Sequence, residues 1–238
     1  MSTIVRKTLV CLVAVFAMSA LEASAASAIA PEFEKSGGGL PTLKGFKDTS
    51  GVQTLYAPGV TIICKKSNSA GKITGLKTVG EVTVTFEECK LWNTALTIEC
   101  GVKSKSPLGS LGTIITNKLK GELGVTTIGT KVGEALAPES GATFVEIEAV
   151  APCSVFTGVT KVEGSVIGEV TPINTLQTTG KLIFRTEATK TKQQIKKCSG
   201  GTVIILCNGE SDVLSSFGGT SALESEDTIT FEEAIKVT

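Results

Sequence analysis

Residues 80–89, Gly80-Glu81-Val82-Thr83-Val84-Thr85-Phe86-Glu87-Glu88-Cys89, carry the reading on which the fold turns. From Glu81 to Phe86 polar and apolar side chains alternate without a slip. In an extended chain this puts Val82, Val84 and Phe86 on one face and Glu81, Thr83 and Thr85 on the other, whereas a helix would scatter them. Working outward, short runs rich in Val, Ile and Thr recur between Gly, Ser, Asn and Pro, which is the strand-and-turn signature. The pattern predicts strands near Val52–Ala57, Val60–Cys64, Lys72–Thr78, Glu81–Glu88, Thr94–Cys100, Gly109–Thr116 and Leu119–Val125. Further strands are predicted near Lys131–Ala137, Thr143–Val150, Lys161–Val170, Gly180–Thr186, Thr202–Cys207, Thr228–Phe231 and Ala234–Val237. Only Glu187–Lys197 is ambiguous between a helix and a polar strand. The expectation is an all-β protein, an antiparallel sandwich or partly closed barrel of many short strands stapled by disulfides, after an N-terminal signal helix. Residues 31–238 are read as a single all-β domain, with a division near Thr171-Pro172 as the alternative.

Residues 1–30 read as a signal peptide and small-residue cleavage region. Arg6 and Lys7 supply the charged start, and Thr8 to Leu21 is an apolar run too short to span a bilayer. A-x-A sites follow at Ala23-Ser24-Ala25, Ala26-Ser27-Ala28 and Ala28-Ile29-Ala30. Of seven cysteines, Cys11 would leave with the signal. Cys64, Cys89, Cys100, Cys153, Cys198 and Cys207 remain, an even set that in an exported chain predicts three disulfides. With no C-x-x-C pair and no histidine, a metal site is disfavoured. If the middle of the chain is an up-and-down meander, cysteines at the same end of the sheet can meet. That argument favours Cys64–Cys89, Cys100–Cys153 and the local pair Cys198–Cys207.

Composition excludes several functions. The 23 basic and 23 acidic residues balance, and the only arginines are Arg6 and Arg185, so no basic face for nucleic acid is expected. Zero histidines remove the usual general base. There is no G-x-S-x-G elbow and no Walker loop, and the Ser104-Lys105-Ser106 run reads as a polar loop unsuited to a Ser-Lys dyad. Ser36-Gly37-Gly38-Gly39 reads as a flexible leader. Acidic residues that could serve a glycoside hydrolase are Glu87, Glu88, Glu99, Glu146, Glu148, Glu210, Asp212, Glu224, Glu226 and Asp227, although one Trp and one Tyr are few for sugar subsites. Two acidic stretches, Asn208-Gly209-Glu210-Ser211-Asp212 and Glu224-Ser225-Glu226-Asp227, offer oxygen ligands for calcium without the spacing of an EF-hand. Trp92 reads as packing over a disulfide, or else as an exposed anchor for a partner.

A weak repeat places Gly-Glu pairs at Gly80-Glu81, Gly121-Glu122, Gly133-Glu134 and Gly168-Glu169. The favoured reading makes the glycine a bulge or turn and the glutamate a solvent-facing strand residue; the other makes these acids repeated ligands.

The succession CKKSNSAGKITGLKTVGEVTVTFEEC (64–89), EC (99–100), KLKGELG (118–124), VGEALAPESGATFVEIE (132–148) and VEGSVIGEVTPINT (162–175) resembles a group of uncharacterised secreted β-rich proteins found in some actinobacteria. The likeness covers most of the chain beyond Cys64. It implies export and a β-rich fold and assigns no functional residue. The pair Cys198 and Cys207 departs from the group's four cysteines and would be an accessory staple.

The sequence thus predicts a secreted or cell-surface, non-enzymatic β-protein with no cofactor, no nucleic acid partner and no transmembrane segment in the mature chain, structural or binding in role and a possible cell-envelope component. The alternatives are a barrel carrying a small apolar ligand and a carboxylate-dependent secreted hydrolase. An interior filled by Val, Ile and Phe would argue against the carrier. Two carboxylates facing each other across a cleft would argue for the hydrolase.

Overall fold

The computed structural model describes residues 30–41, 43–94, 97–126, 131–150, 158–197, 205–207 and 214–238. No helix occurs among them. The first strands are β1 (Phe33–Lys35), β2 (Gly45–Ser50), β3 (Gln53–Ala57), β4 (Val60–Cys64), β5 (Lys66–Ile73), β6 (Thr78–Glu87), β7 (Lys90–Asn93) and β8 (Ile98–Ser106). They are followed by β9 (Ile114–Ile115), β10 (Leu119–Thr126), β11 (Val132–Pro138), β12 (Thr143–Val150), β13 (Val159–Glu163) and β14 (Val166–Thr171). The last are β15 (Gln177–Phe184), β16 (Lys196–Lys197), β17 (Ile205–Cys207), β18 (Ser215–Ser216), β19 (Gly219–Thr220) and β20 (Ala222–Val237).

Eight of these strands close a fully antiparallel barrel in the order β2, β5, β6, β10, β11, β14, β15, β20 and back to β2. Closure pairs each of these eight strands on both sides, so the ring itself has no edge. A second tier continues the wall. β3 pairs with β4 in the same register that joins β2 to β5, running from Ala57↔Val60 through Gln53↔Cys64 to Gly45↔Lys72. β6 and β7 likewise lie along β5 and β4, from Lys66↔Glu87 up to Val60↔Asn93. From β7 the second tier runs through β8, β12, β13 and β18. β18 turns through β19 into the start of β20, whose Ala222–Glu224 pair with β3. Most of the wall is therefore long strands crossing both tiers. At two places the tiers use different segments: β8 stands above β9–β10, and β18–β19 above β15.

The alternation at Glu81–Phe86 is present as read. Val82, Val84 and Phe86 face the interior with Ile62, Ile114, Leu119, Phe144 and Ile147, within one hydrophobic cluster that draws on both tiers. The sequence placed a strand over Lys72–Thr78 where the chain turns, with Thr74 N–H donating to the Thr78 carbonyl at 2.9 Å. It also split β20 in two. It missed β1, β2, β7, β18 and β19 and all of β5 but its last two residues; β5 (KSNSAGKI) hides only small or polar residues, Ser67, Ser69 and Gly71, before reaching Ile73. Lys161–Val170 is two strands, broken at Gly164, whose φ is 109°. Ser36–Gly39 is not a flexible leader but a closed turn, with Lys35 N–H donating to the Gly39 carbonyl at 3.1 Å. Glu187–Lys197 is not helical; it contributes the bridge Thr186↔Gln193 and β16.

Candidate functional site

The barrel interior is the site that the fold builds. Eight strands make a lumen just wide enough to be filled by side chains or to hold one small ligand. Here a cavity of about 130 Å³ remains, lined from both tiers by groups that include Phe46, Val82, Phe144, Ile147, Leu182 and Ile229.

Three acids line the same cavity. Asp48 and Asp227 sit on adjoining strands: Asp48 stands opposite Ile229 and Ser50 opposite Asp227, so the two carboxyls are diagonal neighbours on the inner face. Asp48 is 9% exposed. Its Oδ2 accepts a hydrogen bond from the Ser69 hydroxyl at 2.7 Å, while its Oδ1 is buried with no hydrogen-bond partner. Asp227 accepts from the Ser225 and Ser50 hydroxyls. The Gln53 amide donates to Ser50 and Ser67, completing a polar strip on β2, β3, β5 and β20. Glu134 comes from the diametrically opposite wall, on β11, four strands from β2 in either direction around the ring. Gly121 makes room for it: a Cβ there would lie 2.2 Å from Glu134 Oε1 and 2.6 Å from Val79 Cγ2.

The charges are weakly compensated. No lysine or arginine is buried among the described residues. Burial pushes the Glu134 carboxyl up to about 7, with the Asp48 charge adding to it. Burial, then Asp48, pushes Asp227 up to about 7 against the opposing hydroxyls of Ser225 and Ser50. Burial also raises Asp48, opposed by Ser69. A carboxyl removed from water without a cation holds its proton, because the charged form loses most in a low dielectric.

The residues singled out in sequence fall differently. Glu87 and Glu88 pair with Lys66 and Lys65 on the outer face, Glu99 with Lys90, Glu148 with Lys103, Glu224 with Lys190 and Glu226 with Lys181. Glu146 stands opposite Lys161. Of the described candidates, Asp227 alone points inward. The pleat therefore splits Glu224–Asp227, sending Ser225 and Asp227 into the lumen and Glu224 and Glu226 to solvent, so this stretch cannot gather around one cation. Glu210 and Asp212 lie outside the described residues. Of the Gly-Glu pairs, Glu81 and Glu169 face outward, paired with Lys72 and Lys131, as the favoured reading had it. Glu134 is the exception, and Asp48 had no signal beyond its place in a short alternation, Phe46-Lys47-Asp48-Thr49. Among the described residues no three acidic, cysteine or histidine groups lie close enough to hold a metal ion.

Cys64 and Cys89 are bonded, with Cα atoms 3.9 Å apart. The meander argument reached this pair by a wrong count of passes; the two cysteines face each other on adjacent long strands. Cys100 is also disulfide-bonded. Cys153 and Cys198 lie outside the described residues, as does the Cys207 side chain. Trp92 does not pack over the bridge. Leu91 and Asn93 are buried and Trp92 lies 38% exposed between them, on the outer face of β7, whereas Cys89 shares the inner face. Ser104 lies in β8, not a loop, and accepts from Ile115 N–H at 3.0 Å while Lys105 faces solvent, which removes the dyad.

No protein-family model, curated protein or solved structure matches this chain.

Proposed function

We propose that the chain is an exported, non-enzymatic β-barrel that binds a small, largely apolar molecule in its lumen, in the extracellular space or at the cell surface. The observation carrying this reading is the cavity of about 130 Å³ inside the closed wall, close in size to an engineered apolar cavity that admits benzene. Export is supported by the charged, apolar and small-residue order of residues 1–30, by the resemblance to secreted actinobacterial proteins, and by the Cys64–Cys89 bridge, a bond that persists in oxidising compartments. The hydrolase alternative is disfavoured by space. Glycoside cleavage needs room for two sugar rings and a water between its carboxyls, and the cavity that Asp48, Asp227 and Glu134 line holds only about 130 Å³.

The test is thermal unfolding of the full chain, bridges intact, against rising benzyl alcohol. A ligand bound only by the folded state raises Tm with concentration. The expected result is a saturable rise that is lost in Val145→Phe, which fills the lumen from a buried inward position. No rise in the parent protein would return the weight to a structural surface module.

A further inference from the structure

We infer that the lumen selects a ligand bearing a single organic cation, an ammonium head on a small apolar body, which Asp48 receives while Asp227 and Glu134 add negative charge to the same cavity. The inference rests on the reading of the lumen as a ligand site and adds the chemistry of what enters. Four observations carry it. Asp48 Oδ1 is buried, borders the cavity and accepts no hydrogen bond. Asp227 and Glu134 bring further carboxyls to the same cavity from an adjoining strand and from the opposite wall. The lumen contains no basic side chain among the described residues. Among the described residues the three acids do not gather into a metal-binding group, and apart from Gln53, Ser69, Thr116 and Cys64 the rest of the cavity wall is aliphatic and aromatic.

An ammonium group matches this arrangement. It has three N–H donors and no acceptor, so it supplies what the orphaned Asp48 oxygen lacks and nothing that the surrounding Ser and Gln hydrogen bonds would have to accommodate. Charge-assisted hydrogen bonds of this kind are the strong ones, and in a lumen shielded from water they are screened little by salt. An alcohol of the same shape could donate only one hydrogen bond and would leave the negative charge uncompensated. The apolar walls hold the remainder of either molecule equally well, so the difference between the two isolates the acids.

The experiment is calorimetric titration of the intact, oxidised protein at pH 8, above the value of about 7 to which burial pushes Glu134 and Asp227, with benzylamine and with benzyl alcohol. The parent protein is expected to bind benzylamine at least tenfold more tightly. Asp48→Asn should reduce that preference, read as the ratio of the two affinities in the same variant, to near unity; Glu134→Gln, an isosteric change on another strand, should reduce it in the same direction. Circular dichroism confirms that each variant is folded. Equal or weaker binding of benzylamine, with benzyl alcohol still bound, would overturn the cation inference and leave the lumen reading standing. A benzylamine preference untouched by both substitutions would overturn it as well, because the cation would then sit elsewhere. If neither compound binds the parent protein, both readings fail.

Discussion

Glu134 and Asp227 make the barrel's stability depend on pH in the sense opposite to a protein held by ion pairs. Each carboxyl is pushed up to about 7 in the folded state, whereas in the unfolded chain it ionises at its ordinary value near 4. Between those limits the folded state holds more protons than the unfolded one, so raising the pH favours unfolding. The contribution is fully present below about pH 4, declines as the pH rises through 7 and is flat beyond. The outer ion pairs hold Glu81, Glu88 and Glu226 below the usual range through Lys72, Lys65 and Lys181, but these groups are exposed and water screens them. We expect urea unfolding to show the greatest stability near pH 4–5 and a fall toward pH 8. Glu134→Gln should flatten that slope and stabilise the protein at pH 8 by roughly 2 kcal/mol. A profile rising from pH 4 to pH 8 would contradict the assignment.

Among the elements, β10 and β11 show how a glycine serves a strand on the far side of its own pleat. Gly121 faces inward between Leu119 and Leu123 and stands opposite Leu136, so its missing side chain is the space that Glu134 Oε1 occupies. The Gly121→Ala methyl would meet Glu134, Val79 and Leu136 together, an overpacking that costs about 2 kcal/mol. Combined with Glu134→Ala, the same substitution should cost less than the two singles add up to, because the nearest clash has gone; a double-mutant cycle in urea measures that coupling. Strict additivity would mean that Glu134 does not fill the Gly121 gap. β5 works by the same logic: Gly71 lies beneath Phe46 and Val82, where a Cβ would come within 2.6 Å of the Phe46 ring. The polar sequence of β5 is thus a consequence of what the facing strands place in the lumen.

Over the whole molecule, the closing element is β20. Its sixteen residues pair with β3 and β2 along one side and with β15 along the other, and its end pairs with β1. The chain must therefore complete nearly its full length before the wall can close, a topology dominated by distant contacts and slow to fold. Ending the chain at Ser221 leaves β2 and β15 as long unpaired edges, which template association. That truncation is expected to elute as aggregates in size-exclusion chromatography, with the intact chain as the control. A monomeric, β-rich truncation would show that the wall closes without β20.

Legible in the sequence alone were the all-β class, the shared face of Val82, Val84 and Phe86, the bounds of Val60–Cys64 and Thr143–Val150, and the solvent-facing place of Glu81 and Glu169. These follow from alternation and β propensity, which are local and survive without knowledge of the partner strand. Closure, the second tier, the burial of Asp48 and Glu134 and the outward place of Trp92 were decided by the tertiary structure. A strand's two faces are equivalent until its neighbours choose which one is enclosed. Asp48 and Glu226 look alike in a list of residues. One lies behind a wall with Ser69 and the other beside Lys181 in water, and only the register of β2, β5 and β20 separates them.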